Sequence, residues 1–223
     1  MGSCWAGSWT PLPFQKGSDH MKIRLEQPED RREAEELTRD AFWNKYRPGC
    51  TEHYILHRYR DLPDFVRELC YVVETDGRLA AHIMYSRASI LSDSGAHIPI
   101  LIFGPVSVLP EKQGMGYGSA LIQHTLSLAA RMGFGAVAIT GDPGYYHRFG
   151  FVRGSEFGIR YGGVHDGADA PFFLIKELQK GFLQGVTGVF HDPDGYVTDD
   201  AEVDSFDASF PPREKLVLPG QLV

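Results

Sequence analysis

Cysteine is scarce in this chain: Cys4, Cys50 and Cys70 are its only three, and no CxxC pair occurs. So sparse and odd a count excludes a disulfide-framed fold and a zinc ribbon, and it sets the expectation of a reducing, cytoplasmic location. No apolar run is long enough to span a bilayer, so no membrane partner is expected. Positive charge is in deficit as well. Against 29 Asp and Glu stand 22 Lys and Arg, a formal charge of -7. That balance lacks the basic face with which proteins grip nucleic-acid phosphates, and no nucleic-acid partner is expected. The nine histidines contain no HExxH or similar ligand spacing, so no metal is expected either. There is no GxSxG elbow for a nucleophilic serine. Asp192-Pro193-Asp194-Gly195 misplaces the glycine of a calcium loop and reads as an acidic turn.

What is present is an ordinary globular composition, 43% hydrophobic and 23% charged, in 223 residues. Residues 1–20 are rich in Gly, Ser and Pro and lack the basic start and apolar core of a signal peptide. They read as a leader or disordered arm outside the fold. From Met21 the pattern becomes regular. Lys22 to Leu25 alternates as a short strand. Pro28-Glu29-Asp30 opens a helix that runs to about Trp43, and a second helix covers Glu52 to Tyr59. Cys70 to Glu74 and Leu79 to Ser89 are β-prone runs joined by the hairpin signal Asp76-Gly77. Ile98 to Leu109 is a long apolar strand whose Gly104-Pro105 predicts a bulge or splay. Leu121, Ile122, Thr125, Leu128, Ala129 and Met132 lie on one helical face that stops at Gly133. Ala136 to Thr140 reads as a buried strand, Pro143 to Phe149 as a short helix, and Phe151-Val152 and Phe172 to Ile175 as closing strands. The order is that of a mixed α/β domain with a central sheet. The tail from about Lys180 shows no clear helical period.

Between the long strand and the amphipathic helix lies Gln113-Gly114-Met115-Gly116-Tyr117-Gly118-Ser119. The first amides of a helix lack internal partners and carry the positive end of its dipole, and glycines leave them open to an anion. A P-loop would need Gly-Lys-Ser/Thr, which is absent. A dinucleotide fingerprint would need a third glycine where Ser119 stands and an acid where Ala136 stands. The spacing Gln113-x-x-Gly116-x-Gly118 instead resembles the cofactor loop of the GCN5-related N-acetyltransferases (GNAT superfamily). The preceding Gly104 to Pro110 is similar to that family's fourth strand. Gly141-Asp142-Pro143-Gly144-Tyr145-Tyr146-His147-Arg148-Phe149-Gly150-Phe151 is similar to its second cofactor-side motif. The match is nearest to bacterial predicted N-acetyltransferases of unassigned substrate.

The resemblance implies a GNAT domain over 21–178 followed by a C-terminal extension, 179–223. The implied fold is a mixed sheet, splayed between strands 4 and 5 and flanked by helices. Acetyl-CoA would enter the splay. Its pantetheine arm would pair with backbone around Val106, Ser107 and Val108, and its pyrophosphate would take amides from Gln113, Gly114, Met115, Gly116, Tyr117, Gly118 and Ser119. The resemblance also implies direct transfer to a primary amine in a ternary complex, with Tyr146 protonating the departing thiolate. Tyr145 is the fallback if the short helix is rotated. Many relatives carry a basic Glu on the fourth strand; here Ile98 to Leu109 contains no acid. A water chain to Glu52, His53 or His97 is the remaining route for the amine proton. Trp43, Tyr46, Tyr54 and Tyr59 read as packing or as the acceptor pocket's lining. The acidic surface favours a cationic acceptor, a small molecule or a polypeptide amine. The tail is expected to cover the acceptor site or to add a strand in a homodimer. The competing reading is a non-catalytic acyl-CoA sensor or scaffold module.

Overall fold

The computed structural model describes residues 21–165 and 168–221; the leader read at residues 1–20 lies outside them. The chain order is β1 (Lys22–Leu25), α1 (Arg31–Phe42), α2 (Glu52–Tyr59), β2 (Tyr71–Thr75), β3 (Arg78–Ser92), β4 (His97–Val108), α3 (Tyr117–Arg131) and β5 (Ala136–Thr140). Then follow α4 (Pro143–Tyr146), β6 (Val152–Arg153), β7 (Ile159–Tyr161), β8 (Phe173–Glu177), β9 (Gly188–Phe190) and α5 (Asp200–Asp207). The strands form one sheet in the order β1-β2-β3-β4-β5-β8-β6, with β9 bridging β3 and β7. Pairing is antiparallel except for β4–β5 and β7–β9. Asp76 and Gly77 both take left-handed conformations, as the tight hairpin joining β2 to β3 requires.

Alternation along the strands sends side chains to two cores. Val73, Ile83, Tyr85, Leu101, Phe103 and Val137 meet Leu121, Ile122 and Ala129 of α3 on one face. On the other, Val72, Leu79 and Met84 meet Leu37 of α1 and Leu56 and Tyr59 of α2. Leu126 takes the buried place on α3, while Met132, past the helix end, stays exposed.

The splay predicted at Gly104-Pro105 is present. β4 and β5 share only Leu101↔Val137 and Ile102↔Ala138. Opposite β3, Ile83 pairs with Val106 and Tyr85 with Phe103, so two residues of β4 face Met84 alone. Pro105 brings no N–H, and the Gly104 carbonyl is taken by the Tyr196 hydroxyl at 2.9 Å. The β4–β5 ladder is therefore interrupted at Gly104-Pro105.

The tail departs from its aperiodic pattern. Leu183 and Phe190 enter a third apolar cluster with Ile90, Ile102 and Phe173, and β9 extends the chain's own sheet through Ile90↔Phe190 and Tyr161↔Phe190. α5 is short, and its start is fixed by Asp199, whose carboxylate accepts from the Ala201 and Glu202 amides. It docks on α1 and α2. Asp207 receives Arg39 Nε at 2.6 Å and lies 3.1 Å from His53 Nε2.

His53 is wholly buried. Burial lowers its pKa to about 4, against the upward pull of Asp207. An unfolded chain takes up that proton near pH 6.5, so between pH 6.5 and 4 the unfolded state binds more protons than the folded one. Folding stability should fall by about 3 kcal/mol as pH drops through that window, and no further on this account below it. Urea unfolding of the wild type and His53→Gln across pH 4–7 checks this; equal slopes in the two proteins would remove His53 as the cause.

Candidate active site

The loop Gln113 to Ser119 is constrained locally at its glycines. Gly116 has φ +92°, a conformation that side chains resist, and a Cβ there would meet nothing within 4 Å. Conformation, not crowding, therefore demands glycine. At Gly118 the demand is room: a Cβ would stand 3.2 Å from Val108 Cγ2 and 3.4 Å from the Tyr145 hydroxyl. The loop's entry is held by Gln113 N–H to the Pro110 carbonyl at 3.3 Å. The first main-chain bond of α3 is Ala120 N–H to the Gly116 carbonyl at 2.9 Å. Ahead of it, the amides of Gly116, Tyr117, Gly118 and Ser119 have no main-chain acceptor among the described residues. They form the positive end of a fifteen-residue helix. Met115 projects into solvent, whereas the Tyr117 ring is buried in the core.

Leu109 N–H donates to the Ala80 carbonyl at 3.0 Å. Alternation then turns the main-chain groups of Val106 and Val108 away from β3, toward the gap. The Val108 carbonyl accepts from Gln113 Nε2 at 3.3 Å. Ser107 faces the other way: its main chain lies on the β3 side, and its hydroxyl is buried against Thr38 Oγ1 at 2.8 Å.

α4 closes the far side of the gap. The Asp142 carboxylate accepts from the Gly144 amide at 2.8 Å, Pro143 sits at the first turn, and Gly150 ends the segment in a left-handed conformation. Tyr146 is buried, its ring edge-on to Phe103, Phe151 and Tyr145 at 5.8, 5.9 and 5.0 Å. Its hydroxyl makes no hydrogen bond among the described residues. Burial, and then the nearby Tyr145 and Tyr46 hydroxyls, push the phenol well above its ordinary value. Tyr145 is half-buried beneath the Arg148 guanidinium, 4.7 Å from its ring centre.

The three groups considered for the amine proton separate clearly. His97 stands at the opposite end of β4 from the gap, 3.1 Å from the Ser89 hydroxyl. His53 is enclosed by Cys50 and Asp207. Glu52 opens α2, and burial raises its carboxyl above the usual range against the pull of Arg47 and Lys45. Of the aromatic residues around α1 and α2, Tyr59 is core, Tyr54 donates to Glu202 of α5, and Tyr46 is open to solvent.

A second polar cluster lies on the α1 side of the sheet. Glu26, Cys70 and His82 each bring a donor atom to within 4.8 Å of the other two, beside the buried ion pairs of Arg60 with Glu26 and Glu35. These three residues, far apart in sequence, are brought together by the register of β1, β2 and β3, which sequence spacing does not contain.

Residues 22–154 match a family model described as an acetyltransferase (GNAT) domain. The uncharacterized N-acetyltransferase YjhQ of Escherichia coli (strain K12) is 33% identical over 84 residues, 37% of this chain; the match spans 45% of YjhQ, less than half its length. The uncharacterized N-acetyltransferase YhbS of the same strain is 25% identical over 169 residues, 76% of this chain and 94% of YhbS. A crystal structure of YhbS in complex with CoA superposes with a TM-score of 0.68 at 24% identity, covering 79% of this chain and 91% of that one. A GNAT family acetyltransferase from Brucella melitensis in complex with acetyl-CoA gives 0.64 at 28% identity, covering 80% and 99%.

Proposed function

The chain belongs to the GNAT acetyltransferases, and on that premise we propose that it transfers an acetyl group from acetyl-CoA to a primary amine by direct attack in a ternary complex. The observation that carries the proposal is the open gap between β4 and β5, floored by the partnerless amides of Gly116 to Ser119. Those amides, with Gln113, Gly114 and Met115 leading into them, receive the pyrophosphate. This is how a chain of net charge -7 binds an anion without a basic surface. The main-chain groups of Val106 and Val108, on either side of Ser107, pair with the pantetheine arm. The Val108 amide faces the thioester oxygen as charge develops on it. That the Brucella relative is in complex with acetyl-CoA supports the choice of cosubstrate.

The amine must lose a proton to solvent or to a base, attack the thioester carbonyl, and expel a thiolate that takes a proton back. Tyr146, held protonated by burial, supplies that proton. β4 has no acid, so the amine proton leaves through water, and Glu52 is the candidate acceptor left once the positions of His97 and His53 set those two aside. The acceptor is a small-molecule or polypeptide amine, drawn by the acidic surface.

Calorimetric titration of acetyl-CoA into wild type and Gly116→Val tests the cradle. The left-handed cost of valine, ~1–2 kcal/mol, favours loop conformations in which the amides no longer converge. Binding should weaken about tenfold or more while the melting temperature falls by no more than several degrees. Absence of acetyl-CoA uptake by the wild type would end the proposal. Binding with no turnover over a broad amine panel would instead favour a sensor module, the second reading that the acid-free β4 supports.

A further inference from the structure

We propose that Glu26, Cys70 and His82 form a site for a tetrahedral transition-metal dication, zinc being the best fit, which pins β1, β2 and β3 together beneath α1. The register brings them to one face. Arg24 pairs with Val72, and Val72 with His82, so these three project to the same side. Two residues on, Glu26 just past β1 and Cys70 just before β2 point the same way, joined by Glu26 N–H to the Cys70 carbonyl at 2.9 Å.

With one donor atom taken from each residue, the three lie within 4.8 Å of one another, and the nearest pairs already stand at a metal site's spacing, Glu26 using a different oxygen toward each partner. Cys70 Sγ lies 3.4 Å from His82 Nε2 and 3.3 Å from Glu26 Oε2, and Glu26 Oε1 lies 3.3 Å from His82 Nε2. Zinc bound to sulfur at about 2.3 Å, and to nitrogen and oxygen at about 2.0–2.2 Å, sets tetrahedral edges of roughly 3.3–3.6 Å. Thiolate, imidazole and carboxylate together are a donor set suited to zinc and poor for calcium or magnesium.

Charge fits as well. Arg60 bonds both Glu26 and Glu35 at 2.5 Å, leaving one net negative charge among the three. A coordinated Cys70 thiolate would add a second, and a dication would cancel both. Arg60 also fixes the Glu26 carboxylate, the orienting role that outer residues play at metal centres. His57, bonded to Glu35 at 2.9 Å, is half exposed. A cavity of about 60 Å³ lined by Glu26, Cys70, Arg31, Arg60 and Arg67 reaches two of the three donors, Glu26 and Cys70, from outside, with His82 behind them. It supplies the entry path and room for a water as fourth ligand. Arg31 and Arg67 are exposed on its rim, where salt screens their repulsion of a cation.

The test uses the intact chain, freed of any affinity tag, stripped with chelator and titrated with Co²⁺. A thiolate-to-cobalt charge-transfer band with tetrahedral d–d bands, saturating at about one equivalent, is expected. Zn²⁺ should displace the cobalt and raise the melting temperature. Cys70→Ser should weaken binding roughly tenfold or more, whereas Cys50→Ser, altered beside His53, should bind as wild type does. No cobalt bound, cobalt bound without the thiolate band, or equal binding by Cys70→Ser would each overturn the proposal and leave a hydrogen-bonded triad. If Cys70→Ser does not fold, Cys4→Ser and Cys50→Ser decide the matter: the thiolate band kept in both assigns it to Cys70, and its loss in either overturns the proposal. Acetyl transfer plays no part in the readout, so the outcome is independent of the proposed function.

Discussion

Tyr146→Phe should lower kcat for acetyl transfer by about 10²–10⁴-fold while leaving acetyl-CoA affinity and stability nearly unchanged. The separation follows from how Tyr146 is held. Its ring packs edge-on against Phe103, Phe151 and Tyr145, and a phenylalanine would keep every one of those contacts. Its hydroxyl contributes no hydrogen bond to the fold. Losing it therefore removes no contact of the fold and tests the proposed proton donor alone. The raised pKa bears on the pH profile. A phenol pushed above its ordinary value of about 10 stays protonated through neutral and mildly alkaline solution. Between pH 7 and 9 the wild-type rate should show no decline from ionisation of this group. Tyr145→Phe is the comparison: its half-buried hydroxyl abuts the Gly118 backbone, and its loss should affect cofactor binding more than turnover. Steady-state kinetics on any accepted amine, with acetyl-CoA binding measured separately, decides the assignment. A Tyr146→Phe enzyme within threefold of wild type would show the phenol to be packing alone.

The elements bordering this gap were legible because each is specified locally. Asp76-Gly77 dictates its hairpin, Gly116 and Gly118 sit where a strand must become a helix, and Pro143 and Gly150 bracket a segment too short to be anything but one turn and its cap. Gly104-Pro105 announced the splay for the same reason. What stayed hidden depends on partners distant in sequence. β9 is three residues long and exists because β3 and β7 offer it edges on both sides. α5 presents little apolar periodicity in its eight residues and is anchored instead by one capping carboxylate and one buried ion pair. Tyr196 completes the splay from a tail that shows no pattern, through a single bond to Gly104. The grouping of Glu26, Cys70 and His82 requires the register of three strands, a quantity no spacing rule contains. Chemistry written in backbone turns is readable in one dimension; chemistry assembled across a sheet is not.

Asp207→Ala should destabilise the protein by about 3–5 kcal/mol, a large loss for a residue of the short helix α5. Asp207 receives Arg39 Nε at 2.6 Å and Nη2 at 3.2 Å. The Arg39 side chain is 2% exposed, stacked over Trp43 at 4.3 Å and near Phe210 at 5.4 Å. Without Asp207, that guanidinium is left charged, buried and unpaired beside His53, which is neutral when folded. Replacing both partners with apolar residues, as in Arg39→Met with Asp207→Leu, should recover most of the loss, because the cost lies in the orphaned charge rather than in the pair itself. The effect should reach the active site. The segment between α1 and α2 is tied to the tail by Trp43 Nε1 and Asn44 Nδ2, both donating to the Glu214 carbonyl at 3.0 Å, and it carries Tyr46, whose hydroxyl bears on Tyr146. Loosening α5 should free residues 43–51, raising KM for the amine while the glycine-loop side keeps its acetyl-CoA affinity. Urea unfolding gives the stability change, and hydrogen exchange over residues 43–51 reports the loosening. A loss under about 1 kcal/mol, or exchange there unchanged, would mean that α5 does not brace the segment between α1 and α2.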